Sequence, residues 1–379
     1  MPLPENVHGY LYKSLIIFNN DNHYQLWRYK RGVPIFMKKI SFYAMLVLML
    51  VMLAACGQAS DTNDSETASG TSETTPAASE QPAETDTTET DTTETDSEGE
   101  TRTVTYLGEE YTLPANVEKI VVTGAMEAME DALVLDVPLT GAIEVGGEFP
   151  ERYASITEGA TSIGAKQEPN FETILSLKPD VILGTTKFKP EVVEQLKKIA
   201  PLIQVSHIST DWEANLNLMG ELSGKQDEAA KVIEDYKAEA EAAKAELGTK
   251  LEGKNVMAIR IRGGEMYVYP QDVFFNPVLY SDLGLTVPDA VAAAKAQELI
   301  TVEQFAEINP DYVFLQFADA ENADKLTALE DIQNNPIIQK TNAFKDGHVY
   351  TNIIDPLSEG GPAWSRTNFL TAAVAELKK

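Results

Sequence analysis

The sequence predicts an α/β protein with two similar lobes, and the first reason is a phrase that the chain uses twice. Residues 170–183 read Asn-Phe-Glu-Thr-Ile-Leu-Ser-Leu-Lys-Pro-Asp-Val-Ile-Leu, and residues 301–315 read Thr-Val-Glu-Gln-Phe-Ala-Glu-Ile-Asn-Pro-Asp-Tyr-Val-Phe-Leu. In both, a polar cap and a first-turn acid open a short helix, a Pro-Asp turn ends it, and an apolar strand follows. Glu172 and Glu303 each stand seven positions before the proline. Such a unit in both halves indicates two lobes, and two lobes leave a cleft that can bind a ligand.

The second reason is one long helix predicted between the two units. Residues 225–247 are rich in Ala, Glu and Lys, contain no Gly or Pro, and stop at Gly248, as a single uninterrupted helix should. We therefore place an N-terminal lobe at 102–223, a connecting helix at 224–248 and a C-terminal lobe at 249–379. A helical connector is stiff, so we expect small closure motions and no wide hinge opening.

Within the lobes, strands and helices alternate in the order expected of a parallel sheet. Residues 103–113 read as a first strand, 119–124 as a buried strand ending in a glycine, and 126–135 as a helix. A strand at 181–183, a helix at 189–200 and a strand at 203–205 continue the N-terminal lobe. The C-terminal lobe begins with a strand at 255–262.

The region before the lobes carries the pattern of an exported protein. Met37-Lys38-Lys39 precede an apolar run at 40–55, which is shorter than the roughly 20 residues of a spanning helix and has the basic-then-apolar order of a signal peptide. The run ends Leu-Ala-Ala-Cys56-Gly, and Cys56 is the only cysteine of the chain. This junction resembles a bacterial lipobox with a lipidated cysteine, the alternative being a buried, inert cysteine. We interpret 37–55 as a lipoprotein signal peptide and 1–36 as a start-site over-call.

Residues 56–101 are predicted to be a lipidated cysteine followed by a disordered, acidic, Thr-rich tether. Between Gly57 and Glu100 the chain has thirteen acidic residues and no Lys or Arg. Such a segment repels itself and cannot bury enough apolar surface to offset its ordering entropy.

Composition also excludes several classes of function for the folded part. From Arg102 onward there are 44 acidic and 24 basic residues, which leaves no basic surface for nucleic acid. The sequence has no Gly-x-Ser-x-Gly, phosphate loop or dinucleotide fingerprint, so catalysis and a bound cofactor are not expected. With His207 and His348 as the only histidines of this part, a dedicated zinc or manganese site is not expected either.

Two arginines at a strand end are the leading candidates for ligand contacts. In Val256-Met-Ala-Ile-Arg260-Ile-Arg262-Gly-Gly, period-two alternation puts both arginines on one face of the strand. Two like charges about 7 Å apart repel each other unless an anion lies between them. The following glycines let a ligand approach the backbone. A solvated edge strand with extended arginines is the alternative.

Lysines and glutamates add four further candidates. Lys166 precedes the first repeated unit and Lys295 precedes the second, so their matching placement would direct both at the cleft; each could instead be an ordinary surface charge. Glu172 and Glu303 either favour a helix N-terminus electrostatically or place one carboxylate on the rim of each lobe, spaced to meet basic residues of a partner.

These features together resemble one protein family. The lipobox, the two Glu-to-Pro-Asp units and the connecting helix are joined by Ala-Ile-Arg-Ile-Arg-Gly-Gly-Glu-Met-Tyr-Val-Tyr-Pro, Phe-Asn-Pro-Val-Leu-Tyr-Ser-Asp-Leu-Gly-Leu and Asp-Pro-Leu-Ser-Glu-Gly-Gly-Pro-Ala-Trp-Ser. In this the chain is similar to the iron-siderophore-binding lipoproteins of Gram-positive bacteria, and most similar to their ferric bacillibactin (tris-catecholate) receptors. The resemblance covers the signal and everything from Thr103 onward.

The resemblance implies two Rossmann-like lobes joined by one long rigid helix, the helical-backbone type of periplasmic binding protein, with the ligand between the lobes. It implies a monomeric, non-enzymatic receptor, lipid-anchored on the extracellular face of the cell membrane, that delivers ferric siderophore to an ABC-importer permease of FecCD type. In the family, basic residues hold the anionic ferric catecholate, and the matching positions are Lys166, Arg260, Arg262 and Lys295. Glu172 and Glu303 match the family's permease-docking glutamates. Iron arrives chelated, so no protein metal site or cofactor is implied.

One loop departs from the pattern of the bacillibactin receptors. They carry a further basic residue where this chain reads Gly-Gly-Glu148-Phe-Pro. An acid there would repel a trianion unless it faces solvent or pairs with a neighbour, so a ferric citrate-hydroxamate stays an alternative ligand. Two further hypotheses stay open: a haem receptor with Tyr267, Tyr269 or Met266 as axial ligand, and a secreted surface enzyme.

Overall fold

The structure of the chain is a computed structural model that describes residues 99–379. The predictions for the over-call, the signal peptide, Cys56 and most of the tether fall on residues 1–98 and lie outside the described residues. Within 99–379, no helix combines the length and the apolar character that crossing a membrane requires.

The first described element is a hairpin, so the prediction of a single strand at 103–113 was wrong. Strand β1 (Thr101–Tyr106) pairs antiparallel with β2 (Glu109–Pro114). Leu107 and Gly108 turn the chain with φ of 48° and 85°, the left-handed conformations that a two-residue hairpin loop needs. The alternating pattern continues across these two residues, which hid the turn in the sequence.

The N-terminal lobe contains a six-stranded sheet. Its strands are β3 (Ile120–Val122), β4 (Gly141–Glu144), β5 (Thr161–Ala165), β6 (Glu168–Pro169), β7 (Val181–Thr185) and β8 (Leu202–Val205), in the order β6-β5-β4-β3-β7-β8. All neighbours are parallel except β5 and β6. The lobe's helices are α1 (Met126–Val134), α2 (Ala154–Thr157), α3 (Phe171–Leu177), α4 (Pro190–Lys197) and α5 (Trp212–Ser223). Every residue of β3 and β7 is buried, as expected of central strands covered on both faces.

The long helix predicted at 225–247 is observed as α6 (Gln226–Leu247). Its buried side chains recur every three or four residues, which gives it one apolar stripe: Ala229, Ile233, Tyr236, Ala240, Ala243 and Leu247. The stripe packs against α5 on one side and against the five-residue π turn Val278–Asp282 and the last helix on the other.

The C-terminal lobe contains a five-stranded sheet. Its strands are β9 (Val256–Arg262), β10 (Glu265–Val268), β11 (Glu298–Leu299), β12 (Tyr312–Phe317) and β13 (Val349–Thr351), in the order β11-β10-β9-β12-β13. Strands β9, β12 and β13 are parallel, whereas β10 and β11 are antiparallel to their neighbours. The helices are α7 (Asp289–Ala293), α8 (Val302–Ile308), α9 (Ala328–Gln333), α10 (Asn342–Asp346) and α11 (Ala363–Leu377). The prediction of a two-lobed α/β fold is confirmed.

The repeated phrase folds the same way in both lobes. The side chain of Asn170 caps α3 by accepting from the backbone of Thr173, and Thr301 caps α8 in a reciprocal capping box with Gln304. Each helix ends in a left-handed residue, at Lys178 and Asn309. A two-residue strand, β6 or β11, precedes each helix, which extends the repeat beyond what the sequence showed.

The aspartate of each Pro-Asp turn also has the same structural role. The Asp180 carboxylate accepts hydrogen bonds of 2.8 Å from the backbone N–H groups of Glu118 and Lys119, just before β3. Asp311 accepts one of 2.9 Å from the N–H of Asn255, just before β9. Each aspartate therefore fixes the start of its lobe's central strand.

Candidate functional site

The two lobes enclose a cavity of about 940 Å³. On the N-terminal side it is lined by residues that follow the carboxyl ends of β3, β5, β7 and β8, where ligands bind in open α/β sheets. The C-terminal lobe lines the cavity with residues of β9, of 269–274 and of 291–297. The segment just before α11 adds Glu359, Gly361 and Pro362. Lys166, Arg260, Arg262 and Lys295 all line this one cavity.

The two arginines share a carboxylate that belongs to the protein itself. Arg260 binds Glu321 through Nε at 2.9 Å and through a terminal nitrogen at 2.8 Å. Arg262 contacts the same carboxylate with one terminal nitrogen, and with the other it donates to Gln297 at 2.8 Å. The anion expected between the arginines is thus Glu321, from the turn after β12. Burial opposes its ionisation, but Arg260 and Arg262 together outweigh burial and lower the pKa of Glu321.

Exposure separates the two arginines. The Arg260 side chain is 4% exposed and that of Arg262 is 37% exposed. Ile259 and Ile261 are fully buried on the opposite face of β9, so the strand is a covered central strand and not a solvated edge. Arg262 is therefore the arginine with donors near the open space of the cavity.

Lys166 lies in the turn between β5 and β6 and lines the cavity. Its ammonium is 2.6 Å from a carboxylate oxygen of Glu359, which belongs to the segment that enters α11. Burial would lower the pKa of Lys166, but Glu359 and Glu127 raise it overall. Burial likewise opposes the ionisation of Glu359, yet Lys166 and Arg260 hold its pKa far below the usual range. Both groups are therefore charged at neutral pH.

The backbone just after Glu359 lies close to the backbone of Phe274. Gly360 has a φ of 86°, and a Cβ there would lie 2.7 Å from the backbone of Phe274. This position requires glycine for both its conformation and its close approach. The glycine pair after Glu359 thus allows the close approach that places this carboxylate in the lining of the cavity.

Lys187 is a fifth cation of the cavity, and the sequence reasoning missed it. It follows the carboxyl end of β7, and its ammonium lies 3.9 Å from Glu127 at the start of α1. Burial lowers the pKa of Lys187. The same argument from strand ends that singled out the arginines could have found it, but Lys189 stands two residues away and offered an equal choice.

Polar and aromatic groups complete the wall near Lys295. Gln297 accepts hydrogen bonds of 2.8 Å from both Arg262 and the Tyr269 hydroxyl. The ring of Tyr269 packs against that of Phe274, with the ring centroids 4.9 Å apart. Lys295 itself is exposed and forms no ion pair with any residue of 99–379. Its charge is therefore free to meet a ligand.

The lining carries five cations and three acids, the acids being Glu127, Asp272 and Glu359. His207 also lines the cavity, with Nδ1 2.9 Å from the Thr186 hydroxyl, and burial lowers its pKa. A basic cavity inside a strongly acidic protein attracts anions selectively. Among residues 99–379, no group of three or more His, Cys, Asp or Glu side chains could hold a metal ion.

The residues that the hydroxamate and haem hypotheses depend on are dispersed. Glu148 is exposed in the turn after β4 and does not line the cavity. Tyr269 does line it, but Met266 and Tyr267, on the antiparallel strand β10, do not. The arrangement thus supplies one of the three side chains considered as axial ligands for haem.

Glu172 and Glu303 lie outside the cavity, each in the first turn of its repeated helix, α3 or α8. Both are exposed. They occupy equivalent positions in the two lobes, as the repeat predicted.

Comparison with known proteins agrees with this architecture. The family model described as periplasmic binding protein matches residues 116–352. The chain is 41% identical over 341 residues to the iron-uptake system-binding protein of Bacillus subtilis, covering 90% of this chain and 99% of that relative. It is 27% identical over 255 residues to a probable siderophore-binding lipoprotein of the same organism, covering 66% of this chain and 69% of the relative.

A solved structure matches as well. The triscatecholate siderophore binding protein FeuA of Bacillus subtilis, crystallised with ferri-bacillibactin, has a TM-score of 0.71 and 45% identity, covering 73% of this chain and 98% of that chain. The family model spans more than half of the sequence. On this similarity and on the two-lobed fold, the chain belongs to the periplasmic binding protein family.

Proposed function

We propose that the protein is a receptor that captures a ferric siderophore of the tris-catecholate type and delivers it to an ABC importer. The observation that carries this proposal is the cavity between the lobes with five basic side chains. The similarity to a protein crystallised with ferri-bacillibactin supports the same class of ligand.

The chemistry of the lining suits a large trianion. Ammonium and guanidinium groups donate charge-assisted hydrogen bonds to catecholate oxygens, and a guanidinium also stacks on a catechol ring. We assign Lys166, Lys187, Arg262 and Lys295 as direct contacts and Arg260 as the residue that positions Glu321 and, through it, Arg262. The iron stays chelated by the siderophore, and the protein supplies neither a metal ligand nor a cofactor.

A fluorescence titration tests this proposal. Trp212 and Tyr269 line the cavity, so a bound, strongly absorbing ferric catecholate should quench the intrinsic emission of the full-length protein. We expect tight quenching by ferric bacillibactin and much weaker quenching by a ferric citrate-hydroxamate. The exposed position of Glu148 outside the cavity favours the trianion in this comparison.

The remaining outcomes of the titration discriminate between the competing hypotheses. A preference for the hydroxamate would keep the transport role and change the ligand class. A shift of the Soret band on adding haem, without siderophore binding, would point to Tyr269 and a haem receptor. Turnover of chromogenic esters would revive the hypothesis of a surface enzyme, against which the binding-protein relatives argue.

Delivery requires a permease and a membrane anchor. We propose that Glu172 and Glu303, one on each lobe, pair with basic residues of a FecCD-type permease. Lipidation of Cys56 would hold a monomeric receptor on the extracellular face of the membrane, and two relatives are named as lipoproteins. The acidic tether would then separate the binding lobes from the lipid. Its charge, like that of the lobes, argues against nucleic acid as a partner.

A further inference from the structure

Glu127 is an acid inside a cavity that is otherwise suited to anions. It is 4% exposed and lines the cavity from the start of α1. One carboxylate oxygen is 3.9 Å from the Lys187 ammonium. The other, Oε2, is buried and has no hydrogen-bond partner within residues 99–379. A buried oxygen of this kind is costly unless a ligand or a proton satisfies it.

The groups that face Glu127 come from three separate segments. They are Lys187 after β7, Lys166 between β5 and β6, and Glu359 before α11. Lys166 is already neutralised locally by Glu359. Burial is the main cause that raises the pKa of Glu127, Glu359 raises it further, and the two lysines lower it.

Other charges near α1 are engaged elsewhere. On the helix itself, Glu130 pairs with Arg152 and accepts from the backbone N–H of Glu359. Asp131 accepts from the backbone of Ala363. On α11, which packs against α1, Arg366 is paired with Asp282. The balance at Glu127 is therefore set by the two lysines and Glu359.

A trianion in the cavity would reverse this balance. Its oxygens would take the ammonium groups that now favour the ionised carboxylate, and its charge would repel that carboxylate. Because like charges inside a cavity of low dielectric repel each other strongly, this repulsion raises the pKa of the carboxyl group. A neutral carboxylic acid avoids this repulsion, and its O–H can donate to a catecholate oxygen.

We propose that Glu127 takes up one proton from the solvent when a ferric tris-catecholate fills the cavity, and that the resulting acid donates a hydrogen bond to the ligand. This inference rests on the proposed function, since it requires a trianionic ligand. It makes Glu127 a determinant of specificity: a neutral ferric hydroxamate would neither repel the carboxylate nor need the proton.

The direction of the pH dependence follows from linkage. Binding raises the pKa of Glu127, so affinity is greatest below the pKa of the free protein and falls as pH rises toward the pKa of the complex. In that window the dissociation constant should rise up to about tenfold for each pH unit. Above the window, Glu127→Gln should bind the trianion more tightly than the wild type, because the variant has no carboxylate to repel it.

Isothermal titration calorimetry tests the proton directly. The full-length protein in detergent is titrated with ferric bacillibactin in two buffers of different ionisation enthalpy, at several values from about pH 5 to about pH 9. The difference in heat gives the number of protons taken up. We expect uptake in the wild type and its loss in Glu127→Gln over the acid and neutral part of the range. Uptake at alkaline pH that both proteins share would come from Lys187.

Two matched variants assign the proton. Glu130→Gln removes an equally buried acid one turn along α1 that does not line the cavity. Its carboxylate accepts from Arg152 and from the backbone of Glu359, bonds that the Gln side-chain oxygen can also accept, so this variant should retain the uptake. His207→Gln removes the histidine of the lining, and it should retain the uptake too. Equal uptake in Glu127→Gln and the wild type, or uptake lost only in His207→Gln, overturns the inference while leaving the proposed function intact. If none of these proteins, the wild type included, binds ferric bacillibactin, both the inference and the proposed function are overturned.

Discussion

At the scale of single residues, the basic side chains of the cavity differ in how far the protein already neutralises them. Arg260 is buried and doubly bonded to Glu321. Lys166 is paired with Glu359, whereas Lys295 has no ion pair within the described part of the chain. A ligand gains most from groups that have no partner to give up, so Lys295 should contribute most to affinity. Arg262 shares Glu321 with Arg260 but is the more exposed of the two arginines, so it should contribute more than Arg260.

The arginine pair gives a prediction in which binding and stability separate. Arg262→Gln should weaken ferric bacillibactin binding by about 1.5–3 kcal/mol, because one charge-assisted hydrogen bond is lost, and should leave stability nearly unchanged. Arg260→Gln should lower the free energy of unfolding by about 3 kcal/mol, because a buried ion pair is broken. Urea unfolding and fluorescence titration of both variants measure the two effects.

The double variant and a control complete this test. Replacing both arginines by Gln should weaken binding by several kcal/mol, since Glu321 is then left as an uncompensated anion. The matched control is Lys189→Gln, which removes an exposed lysine near the cavity that does not line it. Unchanged affinity in the double variant would place the ligand elsewhere.

The sequence predicted the cations of the cavity better than its acids. Arg260 and Arg262 were predictable because strand alternation and the following glycines fix their direction. Glu127 and Glu359 of the lining were not, nor was Glu321 behind it, because each is one acid among many and acquires its role from a residue more than fifty positions away. Local pattern carries no information on such pairs.

At the scale of elements, the repeated unit explains why so much of the fold was predictable. Cap, helix, left-handed turn and strand are all local choices, and in both copies they agree with one another. The hairpin β1–β2 was missed for the opposite reason: its turn uses Leu107 in place of the usual Asn or Asp. The two-residue strands β6 and β11 are too short to give any period.

The repeat also predicts how the receptor presents itself to a partner. Replacing Glu172 and Glu303 by Ala should leave ferric-siderophore affinity unchanged, because both side chains are exposed outside the cavity. Uptake of radiolabelled ferric siderophore by cells should fall strongly, because one charged contact per lobe is lost. Each single variant should show an intermediate loss.

Suitable controls are Glu191→Ala and Glu330→Ala. Both remove an exposed acid from the first turn of another helix, α4 or α9, one in each lobe. Normal uptake in these controls would show that the effect depends on the position of the acid. Loss of siderophore binding in the Glu172 and Glu303 variants would instead make them part of the cavity.

At the scale of the whole molecule, the lobes are joined by more than the connecting helix. Arg152 of the N-terminal lobe donates to Asp355 at 2.7 Å and to the backbone of Leu357 at 3.1 Å. The buried carboxylate of Glu130 accepts from the backbone of Ser365 at 3.1 Å and also from its hydroxyl. The segment that leads into α11 is thus bonded to the opposite lobe.

A second connection lies at the middle of α6. Arg366 of α11 contacts Asp282 at 2.5 Å, and Tyr236 of α6 donates to the same carboxylate. Arg366 also donates to the Ser209 carbonyl at 2.9 Å and lies over the ring of Trp212. One buried cation therefore joins α6 to both lobes, which adds to the stiffness of the helix itself.

This bracing predicts a small change of shape on binding. Spin labels at Ser176→Cys and Glu307→Cys, on the exposed faces of α3 and α8, report the distance between the lobes in a Cys56→Ser background. Cys56 is the only natural cysteine, so no other position is labelled. Diamagnetic gallium bacillibactin replaces the ferric complex, which would otherwise perturb the labels. We expect the distance to shift by less than about 2 Å, as in pre-organised complexes.

Two comparisons make this measurement decisive. Labels at Ser176→Cys and Glu194→Cys lie within one lobe and set the resolution of the method. Replacing Arg366 by Met should remove the guanidinium that bonds to Asp282 and to the Ser209 carbonyl while keeping a side chain of similar length. A larger shift between the lobes in that variant alone would show that the buried cation limits closure. A shift between the wild-type lobes well above about 2 Å would contradict the prediction. The bonds of Arg366 that connect the lobes would then have to break on binding, and neither α6 nor Arg366 would limit closure.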